Sequence, residues 1–315
     1  MRNIKIIEVK SEIGAGTRGA SLGADAIRIA ALDFMSSFFV NFPTEQVETE
    51  NKLLYEPIES PYAKRIKGIL TMYERVSEAV NNTLKSGLFP VVLAGDHSTA
   101  GGTIAGIRKA KPKNRLGVIW IDAHADLHSP YTTPSGNMHG MPLAAALGED
   151  NKSNQVHNPD AQTVDLWNKL KNVAKIQPMI NPQDIVFIGL RDYEKEEEAI
   201  LKKHNIKIIP VQEVRRKGVE NVVRQTMQHL SNCDDIYVSF DVDSLDSSIS
   251  RGTGTPVSNG LKEKEAEDLI ATLMQNHKIC CFEVTEVNPT LDKENLMAEI
   301  AFNILQRSVN LLLMN

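Results

Sequence analysis

The chain has 315 residues, 42% of them hydrophobic, enough to bury a sizeable core in one large domain or two ordinary ones. Its 35 basic and 40 acidic residues are interspersed, leaving a formal charge of −5 and no basic stripe of the kind nucleic-acid binding needs. No segment approaches the roughly 18 to 20 apolar residues of a membrane span, and nothing near Met1 reads as a signal peptide, so a cytoplasmic protein is expected.

Short β-branched apolar runs recur along the chain, the first being IKIIEV (4–9). GAGTRG (14–19) follows it and fits a dinucleotide fingerprint, but the acidic residue that should end a second strand, Asp33, falls in the helical pattern IRIAALDFM; the glycines read instead as a turn near an active-site mouth. Ile66, Ile69, Leu70, Tyr73, Val76, Val80 and Leu84 mark an amphipathic helix. FPVVLAG (89–95) and LGVIWID (116–122) are the next strands, leading into GDHS (Asp96, His97) and DAHAD (Asp122, His124, Asp126). A Pro-, Gly- and Ser-rich loop spans 127–142, and a polar insertion at about 149–183 carries one helix around Val164 to Val173, packed by Trp167.

Strands DIVFIGL (184–190), IKIIPV (206–211) and DIYVSFDVD (235–243) come next, the last bearing Asp241 and Asp243 before Asp246 and a second irregular loop, 244–261. Ile270, Leu273 and Met274 mark another helix, and KICCFEV (278–284) leads into EVNP with Glu286. Cys280 and Cys281 inside that run, like Cys233, read as buried strand or core residues without disulfides. The amphipathic segment 296–314 fits either a core helix or an interface. Runs apolar on both faces, alternating with helices, imply a single three-layer α/β/α domain over 1–315 with a central, mainly parallel sheet.

Two histidines and four carboxylates, all at the ends of otherwise apolar strands, carry the chemistry. In an extended chain Asp122, His124 and Asp126 share one side, as do Asp241 and Asp243. Four negative charges brought together away from water are costly, and two divalent cations would neutralise them. A carboxylate-rich set with one imidazole per metal favours a hard or borderline ion such as Mn²⁺, two per chain.

GDHS, DAHAD and SFDVDSLD, in this order and at these separations, resemble the ureohydrolase family of arginases, agmatinases and formimidoylglutamases over most of the chain. The resemblance implies His97 and His124 as one imidazole ligand for each metal, with Asp122, Asp126, Asp241 and Asp243 completing the shells and some of them bridging. It implies attack by a metal-bridging hydroxide, the shared water being made acidic enough to ionise near neutral pH. Glu286 resembles the glutamate that pairs with a substrate guanidinium, and His139 the histidine that shuttles protons to the departing amine. Trimers or hexamers of the chain are implied as well.

For substrate, TTPSGNMHG (132–140) is closest to arginases, in which Ser135 and Asn137 would bind an α-carboxylate and Thr255 would hydrogen-bond near the guanidinium. L-Arginine, cleaved to ornithine and urea, is the expected substrate. A formimidoylglutamase, or an agmatinase or guanidinobutyrase acting on another amidine, is the alternative. Two residues depart from the arginase pattern. His128 stands where Asn is usual, two residues past DAHAD, and Glu194 stands where Asp receives the α-ammonium. Both are able to serve, although Glu194 also opens the charge run EKEEE, whose plainer reading is a solvated helix start.

Overall fold

The computed structural model describes residues 3–314. Eight strands form one sheet: β1 (Asn3–Val9), β2 (Thr44–Gln46), β3 (Leu88–Ala94), β4 (Leu116–Ile121), β5 (Ile185–Ile188), β6 (Lys207–Ile209), β7 (Asp235–Asp241) and β8 (Ile279–Thr285). All neighbours run parallel, in the order β2-β1-β3-β8-β7-β4-β5-β6. The seven expected strands all form. The eighth, β2, is three residues of polar sequence, TEQ, on the sheet edge, too short and too exposed to carry a hydrophobic pattern.

The helices are α1 (Gly23–Asp33), α2 (Phe38–Asn41), α3 (Ile66–Lys85), α4 (Ala100–Ala110), α5 (Pro142–Leu147), α6 (Ala161–Lys171), α7 (Lys195–His204), α8 (Val211–Lys217), α9 (Val219–His229), α10 (Glu263–Leu273) and α11 (Leu296–Leu313). Alternation along each strand divides the interior in two. Ile4, Ile6, Val91, Leu93, Ile119 and Ile121 pack against α1 and α8 to α11, while Ile7, Val9, Val92, Val118 and Trp120 pack against α3 to α7. A parallel sheet covered on both faces is the three-layer architecture expected from the sequence.

Residues 149–183 join the second core through α6, whose Trp167 is buried and donates Nε1–H to Asp150 at 2.9 Å. The segment 296–314 packs as a core helix: α11 (Leu296–Leu313) buries Ile300, Phe302, Ile304, Leu305 and Val309. Cys233, Cys280 and Cys281 are buried and form no disulfide among the described residues. No helix of the described residues is long and apolar enough to cross a membrane.

Strand order sets where the chemistry falls. The chain passes from β3 to β4 across a gap that β8 and β7 fill later, so the four middle strands are β3, β8, β7 and β4. Their C-terminal ends carry GDHS, EVNP, SFDVD and DAHAD side by side. Ligand sites in open α/β sheets lie outside the carboxyl ends of the strands where the order reverses.

Candidate metal centre and active site

The expected candidate ligands converge, but not along extended strands. β4 ends at Ile121, and Asp122 to Asp126 form a bent loop in which Asp126 holds a left-handed φ of 53°. β7 ends at Asp241, whose carboxylate accepts from Asp243 N at 2.8 Å and so winds Val242–Ser244 into a 3₁₀ turn. Glu286 also has positive φ, 65°, and its N–H is held by Gly95 O at 2.8 Å. Side chains other than Gly, Asn and Asp rarely adopt this region, and surrounding contacts must impose it.

His97 Nδ1 lies 3.1 Å from Asp122 Oδ2, 3.2 Å from Asp126 Oδ2 and 3.1 Å from Asp241 Oδ2. Its ring is fixed from behind by Ser239 Oγ, 2.8 Å from Nε2, and by stacking on Trp120 at 4.1 Å. His124 Nδ1 lies 2.9 Å from Asp243 Oδ2 and 3.5 Å from Asp122 Oδ1, and its Nε2 points towards Asp192 at 3.7 Å. Asp122 thus belongs to both clusters and is the side chain placed to bridge them. The four aspartates are buried.

These groups do not satisfy one another. His97 Nδ1 and Asp122 Oδ2 are buried without a hydrogen-bond partner despite their closeness, because their lone pairs converge on a shared point instead of aligning donor to acceptor. A carboxylate-rich set with one imidazole in each cluster and no thiolate suits hard or borderline divalent cations. Protonation shows the same frustration. Burial and Asp122 push Asp126 up to about 6, burial and Asp243 push Asp241 well above the carboxylate range, and three facing carboxylates, overcoming burial, raise His97. The donor set fits two hard divalent cations, His97, Asp122, Asp126 and Asp241 around one and His124, Asp122 and Asp243 around the other. Chelation is therefore expected to lower the melting temperature, by the equivalent of about 4 kcal/mol when free metal had stood at 1,000 times its Kd. Calorimetry with and without chelator measures it.

Beside the cluster lies a cavity of about 310 Å³, lined by His97, His124, Asp126, His128, Ser135, Asn137, His139, Glu194, Glu197 and Thr255 among others. Glu286 Oε1 accepts from His97 N at 2.9 Å and meets His139 Nδ1 at 3.1 Å, while Oε2 is buried with no partner. Burial opposes a charge on either residue, but their mutual attraction wins: Glu286 is lowered and His139 rises to about 9. Thr255 Oγ1 donates to Asp243 Oδ2 at 3.1 Å, so its contact is with a candidate ligand. Ser135 Oγ accepts from Asn137 N at 3.1 Å and shapes the loop.

His128 and Glu194 engage each other. Nε2 of His128 lies 2.9 Å from Glu194 Oε2 and 3.5 Å from Glu197 Oε2, and its Nδ1 meets Thr132 Oγ1 at 3.2 Å. Glu194 is both things the sequence allowed, the residue that starts α7 and a wall of the cavity. His128 holds it down to about 2, whereas burial pushes Glu197 up to about 8.

Several residues that build the site had no role assigned from the sequence, although Asp96 was already marked within GDHS. Glu197 Oε1 accepts from Leu127 N at 3.0 Å, tying α7 to the DAHAD loop. Asp96 caps the turn at His97 and accepts from Gly14 N at 2.8 Å, drawing GAGTRG over the site as the turn expected there. Arg191 spreads its guanidinium over backbone carbonyls of Gly189, Asp243, Leu245, Val257 and Ser258, at 2.8 to 3.1 Å. Its place directly after the DIVFIGL strand (184–190) was its only signal. Arg191→Ala orphans these acceptors and is expected to cost about 2–4 kcal/mol in urea unfolding, with weaker metal retention, since Asp243 loses its frame.

A sequence model of the Arginase family matches residues 2–309. The chain is 35% identical over 313 residues to the arginase of Brevibacillus brevis, covering 95% of each protein. It superimposes on the native structure of arginase from Bacillus caldovelox with a TM-score of 0.82 at 34% identity, covering 97% of each chain. Formimidoylglutamase from Bacillus subtilis shares the fold, with a TM-score of 0.75, at 20% identity over 99% of this chain and 87% of that one. By these full-length matches, the chain belongs to the arginase family.

Proposed function

We propose that the protein hydrolyses L-arginine to L-ornithine and urea at a pair of Mn²⁺ ions. The observation that carries this reading is the match to arginases over nearly the whole chain, supported by a cavity whose far wall bears groups for both charges of an amino acid. Manganese is favoured by oxygen-rich donors with one imidazole for each cation.

Bound at His97, Asp122, Asp126, Asp241, His124 and Asp243, such a pair supplies Lewis acidity and makes water nucleophilic at neutral pH. The remaining work falls to the chain. Glu286, with Oε2 unpartnered, accepts guanidinium N–H groups and holds the electrophilic carbon beside the cluster. As the C–N bond to the side chain breaks, the departing amine needs a proton, and His139 carries one at Nδ1 or Nε2 in its favoured cationic form. Thr255 holds the Asp243 carboxylate in place. At the other end Ser135 and Asn137 receive the α-carboxylate, and Glu194, oriented by His128, receives the α-ammonium.

The test is product identity. After Mn²⁺ loading, urea is expected from arginine with kcat/KM at least about 100-fold above agmatine and guanidinobutyrate, and no formamide from formimidoylglutamate. Formamide release would replace this reading by the formimidoylglutamase alternative. Assembly into trimers or hexamers, carried by the family resemblance, is read by light scattering.

A further inference from the structure

Among the residues lining the cavity there is no lysine or arginine, yet a lysine stands one layer behind it. Lys64, just before α3, is 73 residues from Asn137 in sequence, and its Nζ donates to Asn137 Oδ1 at 3.1 Å. Its backbone N–H donates to Gly136 O at 2.8 Å, so the same residue grips the loop twice. The loop is shaped for that grip. Gly136 has a φ of 75°, and a Cβ there would fall 1.9 Å from Pro61 O.

An ammonium donates and never accepts, so Lys64 leaves Asn137 one orientation: oxygen towards the lysine, Nδ2 turned away. Nδ2 lies over the backbone of Gly16, where any Cβ would come within 2.6 Å of it. It donates no hydrogen bond to another described residue. The glycine of GAGTRG therefore keeps open the space in which this donor stands. A donor with no acceptor at a cavity rim, backed by a positive charge, suits an anionic oxygen.

We propose that Lys64 is a positioning residue for substrate selection: it locks the Asn137 carboxamide so that Nδ2 faces a substrate carboxylate, favouring α-amino-acid guanidines over decarboxylated ones. This rests on the arginine reading above. The selectivity comes from orientation: an Asn free to flip presents its carbonyl as often as its amide, and a carbonyl repels a carboxylate. Substrates without the carboxylate do not feel the difference.

The test compares arginine with agmatine in Lys64→Met, which removes the ammonium but keeps the backbone bond to Gly136. Arginine kcat/KM is expected to fall about tenfold, mainly through KM, and agmatine kcat/KM by less than twofold. Lys64→Arg restores most of the loss. In an Asn137→Ala background Lys64→Met adds less than twofold, because its target is gone. Where agmatine turnover is below detection, competitive inhibition by ornithine and by putrescine reads the same difference. Equal losses on both substrates, or an unchanged arginine KM, overturn the inference while leaving the activity standing. Absence of urea from arginine in the native protein overturns the activity, and the inference with it.

Discussion

Asp243→Ala is expected to retain one metal ion per chain in place of two and to lower kcat/KM for arginine on the order of 10³-fold, about 4 kcal/mol of lost transition-state stabilisation. The carboxylate is buried and lies 2.9 Å from His124 Nδ1, and it forms the second cluster with His124 and Asp122. With Asp243 gone, two side chains remain, one of them shared with the neighbouring site. The loss reaches further, because Asp243 Oδ1 also accepts from Ala123 N at 3.2 Å and so braces the DAHAD loop. Asp243→Asn separates the two contributions: it keeps the oxygen facing Ala123 and removes the charge. Metal content by mass spectrometry after dialysis, beside urea release, reads both. Two ions retained together with activity within tenfold of native would refute the assignment of Asp243 as a ligand.

His139→Ala should behave in the opposite way: full metal content, with kcat lowered about 10²–10⁴-fold. The imidazole touches Glu286 at 3.1 Å and makes no contact with the four aspartates, so its removal leaves the donor set intact. Glu286 keeps its hydrogen bond from His97 N, and the guanidinium contact survives, which leaves KM nearly unchanged. What disappears is the proton for the departing amine. Added imidazole should restore part of the rate, a result that a merely displaced loop would not give. Loss of metal from His139→Ala, or unchanged kcat, would remove the residue from the proton-transfer role.

The strands were legible because both faces of a parallel sheet are buried, which turns each strand into an apolar run that no surface element imitates. Ile119 and Trp120 face opposite cores, yet both are wholly buried. The edge strand β2 lacks that constraint, so its sequence carries no mark of its pairing. The helices were read less fully: α11 was legible as amphipathic, but its burial against α1 and α10 depends on where the sheet places it.

Within the site, residue type and local spacing determined the chemistry. Asp122, Asp126, Asp241 and Asp243 offer hard oxygens and His97 and His124 borderline imidazole nitrogens at strand ends, and that property is covalent and local, so the sequence alone was enough to group them. Tertiary structure decided how they face each other: that Asp122 serves both clusters, that Asp126 turns through a left-handed φ, and that Thr255 holds Asp243. It also decided that His128 and Glu194, 66 residues apart, pair with each other, and that Lys64 reaches Asn137. Contacts between distant segments leave no periodic signal in the chain, because they arise from the order of strands in the sheet and the loops that order brings together.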